Sequence, residues 1–211
     1  MAQSNNFLLL KTQEKEKRKQ FILDAAVQMF VEKPFSQITM RSIADAVGIT
    51  PAAIYSYFPD KNDLYAEAYI AVGDAFIREV TEIIENCNDF CIEAVAEKYI
   101  SHFYGTGRPL NILMQFMLDE SISNELWEKI NTTNRLFTGL IEGFFKRFNE
   151  EVDSKVLAQS FIAVLNGILL TAKNYPRKSE EEILEHMKTL SALVAGMFRG
   201  KILQGTAAAA G

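Results

Sequence analysis

Cysteine is scarce in this chain of 211 residues, with only two, so one disulfide is the most it can form and a secreted disulfide scaffold is excluded. The expected setting is a reducing cytoplasm. Histidine is equally scarce. Neither His102 nor His186 stands in a Ser/His/Asp order or an HExxH spacing, the patterns that nucleophilic or zinc-dependent hydrolysis requires. Glycine (11) and proline (5) are too few for a collagen-like or low-complexity chain. Residues 7–10 are too short an apolar run for a signal-peptide core, and residues 161–172, broken by Asn166 and Gly167, fall short of a membrane span. No stretch alternates apolar and polar residues long enough to support a sheet. What is present, 48% hydrophobic and 23% charged residues in 23.8 kDa, is the composition of a soluble globular protein without a membrane partner. The length suits one medium domain, or a small domain joined to a larger one.

A net charge of −5 argues against a nucleic-acid binder, but the charge is uneven. Residues 1–65 carry a net +1 and residues 66–211 a net −6. Near the start, Lys11, Lys15, Lys17, Arg18 and Lys19 face only Glu14 and Glu16, a local excess of +3. That run reads either as a solvated helix start or as a phosphate-facing one.

Periodicity is helical almost throughout, so the expected fold is all-α. Ile22, Ala26, Met29 and Phe30 share one face. Tyr65, Tyr69, Val72, Phe76, Val80 and Ile83 form one stripe of a long helix over residues 60–84. Later stripes run through Ile130, Phe137, Ile141, Phe144 and Phe148, then Leu157, Phe161, Val164, Ile168 and Ala172, then Ile183, Met187, Leu190, Val194 and Met197. Pro34, Gly48 and the Pro59-Asp60 pair punctuate the first part. Residues 105–109 and the Tyr175-Pro176 pair mark later turns, and Ser179 with Glu182 makes a capping box that starts the last helix. The expected division is residues 12–64, residues 65–204 and a disordered tail, residues 205–211.

Residues 39–58 carry the most information. Thr39 can cap a short helix ending at Val47, Gly48 can turn the chain, and Thr50 with Pro51 can start a second short helix. Two short helices joined by three residues must cross closely, and Ala44 is small enough for the crossing. Ile43, Val47, Ile49 and Ile54 fill the angle between them. This is a helix-turn-helix pattern. It reads either as a corner inside a helical protein or as a reader of DNA. The second reading is favoured because Pro51, Ala52, Ala53, Ser56 and Tyr57 have no apolar task of their own, and a major groove accepts such a helix.

Residues 17–66 resemble the N-terminal domain of TetR-family transcriptional regulators. The matching residues are Ala25-Ala26, Thr39, Ile43-Ala44, Gly48-Ile49-Thr50, Ile54-Tyr55, Tyr57-Phe58 and Lys61, while Ala53 stands where Thr is frequent. The resemblance implies a three-helix DNA-binding domain joined by a long helix to a larger helical domain for effector binding and dimerisation. It implies that Thr39, Thr50, Tyr57 and Lys61 anchor phosphates and that Ala52, Ala53 and Tyr55 lie near base edges, Tyr55 having a competing role in the core. Arg41, in the first turn of its helix, is a further phosphate candidate. Double-stranded operator DNA, bound as a pseudo-palindrome by a homodimer, and a small apolar effector that releases it are the implied partners.

In the larger domain Phe103, Met114, Met117, Trp127, Phe137 and Phe144 read individually as core and as a group as walls of an apolar ligand cavity. Helices over residues 154–174 and 180–199 carry Ala158, Ala163, Gly167, Ala192, Ala195 and Gly196. Such small residues permit a close four-helix dimer interface. Cys87 and Cys91 could share one helix face, but a zinc site wants two more ligands, and free thiols are the simpler reading. Gly105-Thr-Gly107 reads as a turn rather than a phosphate loop. No cofactor or enzymatic activity is expected. A helical protein for hydrophobic ligands, keeping the helix-turn-helix only for packing, is the alternative.

Overall fold

A computed structural model of the protein describes residues 2–104, 112, 114, 124–172 and 175–208. Among them are eight α-helices, one short 3-10 turn and no strand. Helix α1 (Ala2–Glu32) is rich in Lys, Glu and Gln, strong helix formers, and stops just before Pro34. A 3-10 turn (Phe35–Gln37) leads into α2 (Met40–Val47). Its cap is reciprocal: Thr39 Oγ1 accepts the Ser42 N–H at 3.0 Å, and Ser42 Oγ accepts the Thr39 N–H at 3.0 Å. Gly48 ends α2 at φ +72°, a left-handed conformation that a side chain would strain. Thr50 then caps the single turn of α3 (Pro51–Ile54), its Oγ1 accepting the Ala53 N–H at 3.2 Å. Ile43, Ala44, Ile54 and Phe58 are sealed against Ile22, Ala26 and Phe30 of α1. Each such large apolar side chain contributes about 1.5–3 kcal/mol on burial.

Helix α4 (Lys61–Glu85) starts at Asp60, whose Oδ1 accepts the Asp63 N–H at 2.8 Å. It belongs to two cores. Leu64, Tyr65, Ala66 and Ala68 complete the core of the small domain, whereas Phe76, Val80 and Ile84 belong to the core of the large one. Tyr69 and Val72 pack against both. The two cores thus part on α4 between residues 68 and 76. Ile112 and Ile130 of the large domain also enter the small domain's core, and Tyr65 donates from its hydroxyl to the Ile112 carbonyl at 3.2 Å.

The large domain comprises α5 (Ile92–Tyr104), α6 (Asn124–Phe148), α7 (Ser154–Ala172) and α8 (Glu180–Ala208). Helix α5 packs chiefly on α8, and α7 lies between α6 and α8. The Ser179 cap is made as the sequence suggests: Ser179 N–H donates to Glu182 Oε2 at 2.7 Å, and the Glu182 N–H to Ser179 Oγ at 3.2 Å. Residues 205–208, expected in a disordered tail, continue α8. With 19 residues and a mean hydropathy of 1.6, α7 is long and apolar enough to cross a membrane, unlike the shorter run counted from sequence. Its buried residues, Phe161, Leu165, Ile168 and Leu169 among them, pack into the protein's own core.

Two stripes differ from expectation. Val164 and Met197, placed on the core side by periodicity, point outward, and Val156, Leu170 and Leu193 join them as exposed apolar residues on the same two helices. Conversely, Ala158 and Ala195, expected at a dimer interface, are 0% exposed and serve the chain's own core. Ala163, Gly167, Ala192 and Gly196 remain accessible. Both helices are apolar on more than one side, so a single stripe cannot separate inside from outside. Cys87 and Cys91 lie in the connection between α4 and α5 rather than on one helix face, both as free thiols. Burial, and then Cys87 beside it, push the Cys91 thiol up to about 12.

Candidate DNA-binding surface and ligand cavity

The single turn of α3 is anchored from below by Ile54, which is fully buried, while Pro51, Ala52 and the following Tyr55 and Ser56 are exposed. Tyr55 is 53% exposed, which removes its competing role as a core aromatic. Thr39, Arg41 and Thr50 are exposed beside it; Ala53 and Tyr57 are half-buried. Ser56 Oγ donates to the Ala53 carbonyl at 2.6 Å, a bond that closes the turn. Arg18 of α1 lies beside Tyr57 and is bound to Glu14 at 2.5 Å, so the basic stretch of α1 adjoins this surface.

Lys61 behaves differently from the simple expectation of a phosphate anchor. Its Nζ donates to the Phe35 and Ile38 carbonyls, both at 3.0 Å, and sits 3.7 Å from the centre of the Phe35 ring. Burial lowers its pKa from the ordinary lysine value. Two of its three N–H groups thus tie the start of α4 to the turn that delivers Thr39.

Further along α4 a cavity of about 230 Å³ opens, walled by α4, α5, α6 and α7. Of the residues expected to line it, Phe103 and Phe137 do. Phe144 does not: it is buried in a separate aromatic cluster with Phe90 and Phe148, at ring distances of 5.1 and 5.2 Å. Met114 is buried and Trp127 half-buried, both away from the cavity's described lining, and Met117 lies outside the described residues. Sequence reasoning missed the polar lining. Tyr69 of α4 donates to Asn134 Oδ1 of α6 at 2.8 Å, and Tyr99 of α5 to Asn166 Oδ1 of α7 at 2.5 Å. Burial pushes the Tyr69 hydroxyl up to about 12 and that of Tyr99 further still, so both stay protonated donors. Asn166, which interrupts the apolar run of α7, is the signal that could have revealed the site. Gly73 also lines the cavity, and a Cβ there would meet Thr133 Cγ2 at 2.5 Å.

The family model described as "Bacterial regulatory proteins, tetR family" matches residues 22–68, which end where α4 leaves the small core. Over those residues the chain carries a TetR-family N-terminal domain. It is 40% identical to the HTH-type transcriptional regulator AcrR of Shigella flexneri over 57 residues, 27% of this chain and 26% of that protein. The similarity to that regulator is therefore confined to about a quarter of its length. The fatty acid metabolism regulator protein of Bacillus subtilis (strain 168) is 24% identical over 192 residues, 87% of this chain and 98% of that protein. Among solved structures, the transcriptional regulator FadR from Bacillus subtilis in complex with stearoyl-CoA aligns with a TM-score of 0.69 at 22% identity, covering 85% of this chain and 96% of that one. The rest of the chain shares the fold of these regulators. Its relatives are regulators rather than enzymes.

Proposed function

We propose that this TetR-family protein acts in the cytoplasm as a homodimeric repressor that holds a pseudo-palindromic operator and leaves it when a small molecule fills the cavity on α4. The observation that carries the DNA half is the division of labour on α3: one buried anchor, Ile54, and an otherwise exposed outer surface formed with Thr39, Arg41 and Thr50. Small residues there let the backbone approach base edges, and the hydroxyls of Thr39 and Thr50 can reach phosphates. Ala52 and Tyr55 face bases; Arg41 and Tyr57 face the backbone; Lys61 positions the turn before α2.

The exposed apolar residues of α7 and α8, with Leu193 at 65% and Met197 at 68% exposure, support pairing with a second copy through those helices. The effector half rests on α4, which runs from the Asp60 cap beside the DNA-binding surface to the cavity wall at Tyr69, Gly73 and Phe76. That the FadR relative was solved with stearoyl-CoA supports a small-molecule signal in this domain. Gel shifts with fragments of the source genome test the DNA half. A retarded fragment that Ala52→Arg no longer selects is the expected result, and no retarded fragment overturns the reading.

A further inference from the structure

The wall chemistry of the cavity narrows what it can hold, given the reading above that it is the effector site. A cavity of about 150 Å³ takes up benzene, so one of about 230 Å³ accommodates in proportion about nine or ten non-hydrogen atoms. An eighteen-carbon chain, such as the stearoyl group in the FadR complex, exceeds that space about twofold on the same scale. The apolar surface combines the aliphatic Val72, Ile77, Ile112 and Ile162 with a cluster of aromatic rings. The Phe76 ring stands at its centre, with the rings of Tyr99, Phe103 and Phe137 at 5.3, 5.3 and 5.0 Å, tilted or edge-on. Such a cluster accepts one more ring in the same edge-to-face manner.

The polar groups are neutral. No Lys, Arg, His, Asp or Glu occurs among the described lining residues, so none of these offers a counter-ion to a buried carboxylate or phosphate, and ring contacts do not offset the cost of burying one unpaired. The hydrogen bonds also set the direction of recognition. Each tyrosine hydroxyl donates to the amide oxygen of its asparagine, which leaves the two amide hydrogens of Asn134 and Asn166 as the groups to be offered. Asn134 is exposed and marks the mouth, while Asn166 pairs with the buried Tyr99 deeper inside.

We propose that the cavity binds an uncharged aromatic molecule of about nine or ten non-hydrogen atoms whose carbonyl or ether oxygen accepts a hydrogen bond from Asn166, rather than a long acyl chain or an anion. Acetophenone, isopropylbenzene and benzoate test this, because they share a shape and differ in carrying a neutral acceptor, no acceptor and a charge. The affinities are measured on the full chain by calorimetry and ligand-observed NMR. Acetophenone is expected to bind about tenfold or more tighter than benzoate, and severalfold tighter than isopropylbenzene. In Asn166→Leu the advantage over isopropylbenzene disappears while isopropylbenzene still binds, which an unfolded variant would not allow. Asn134→Leu, changed at the exposed mouth, gives a second variant in which acetophenone keeps its advantage.

Benzoate binding as well as acetophenone, stearoyl-CoA displacing all three, or no binding by acetophenone overturns the proposed ligand class. The effector reading is judged separately. Operator release by stearoyl-CoA with acetophenone inert keeps that reading and sinks this one. Acetophenone bound in the cavity without any change in operator affinity sinks that reading and leaves this one standing.

Discussion

In the proposed reading, Lys61 serves DNA binding without holding DNA. Its ammonium ties two carbonyls of the turn that presents Thr39, so its removal should act through geometry. Lys61→Met keeps the stem and deletes the donors. It should cost about 1–2 kcal/mol of stability. Operator affinity should fall with it while the slope of log affinity against log salt stays unchanged; a phosphate anchor would reduce that slope by about one. A slope reduced by one would return Lys61 to the phosphate contacts. His102 gives a second residue-scale test. Its Nδ1 is 3.2 Å from Glu79 Oε2, its Nε2 is buried without a partner, and Lys98 shares the same carboxylate at 2.9 Å. Burial lowers its pKa, against the pull of Glu79. A folded-state pKa below the unfolded value of about 6.5 means that the unfolded chain binds the proton more readily. The histidine's neutral-form stability is therefore complete above that value and lost as pH falls through the lower folded one. Denaturant titrations should show stability falling below about pH 6.5, with a shallower fall in His102→Gln. An equal fall in both proteins would acquit His102.

At the scale of elements, the approach of α4 to α6 is set by a missing Cβ. Gly-to-Ala in a helix interior ordinarily gains about 0.5–1 kcal/mol. At Gly73 the new methyl would meet Thr133 Cγ2 at 2.5 Å, with Thr133 buried, so Gly73→Ala should instead destabilise by about 1–3 kcal/mol. Thr133→Ser removes that methyl and keeps the hydroxyl. It should recover most of the loss in the double variant, a coupling that a double-mutant cycle of melting free energies reads directly. The small domain was legible in the sequence because its signals are local: Thr39, Gly48, Thr50 and Pro51 each act on the next few backbone groups. The long α4 was legible for the same reason, from Asp60 and a single stripe. The cavity was less so, because Tyr69–Asn134 and Tyr99–Asn166 join residues 65 and 67 apart in sequence, and aromatic abundance does not separate Phe137 on its wall from Phe144 in the core behind it. The outward faces of α7 and α8 failed for a related reason: Val164 and Met197 keep helical spacing with the core residues yet lie on the other side.

For the whole molecule, the proposed pairing and signalling would meet on the same frame. Dimer formation through α7 and α8 should give a light-scattering mass about twice that of the chain. A Cβ at Gly167 meets nothing within 4 Å, so the folded chain has room for a side chain to start there, and Gly167→Arg should lower that mass while the helical circular dichroism of the chain is kept. A dimer unaffected by this change would move the interface elsewhere. Two copies must keep their α3 turns near one DNA repeat apart, about 34 Å, to enter successive major grooves. Each α3 sits on a core that includes the start of α4, and that core is continued by Ile112 and Ile130 of the large domain. Lys129 on Asp63 at 2.9 Å and Tyr65 on the Ile112 carbonyl add polar ties across the same junction. A displacement of Tyr69, Gly73 or Phe76 by something in the cavity therefore reaches the turn before α2 without any flexible link between. Filling the cavity from its far wall should reproduce the ligand's effect. Ile162, half-buried on α7, lines that wall, and Ile162→Trp should lower operator affinity by the equivalent of about 1–3 kcal/mol in the absence of any ligand. The same variant should no longer respond to acetophenone, and fluorescence anisotropy with labelled operator measures both. Full operator affinity in a folded Ile162→Trp dimer would disconnect the cavity from the DNA-binding surface, and a gain in affinity would make the bound ligand a corepressor.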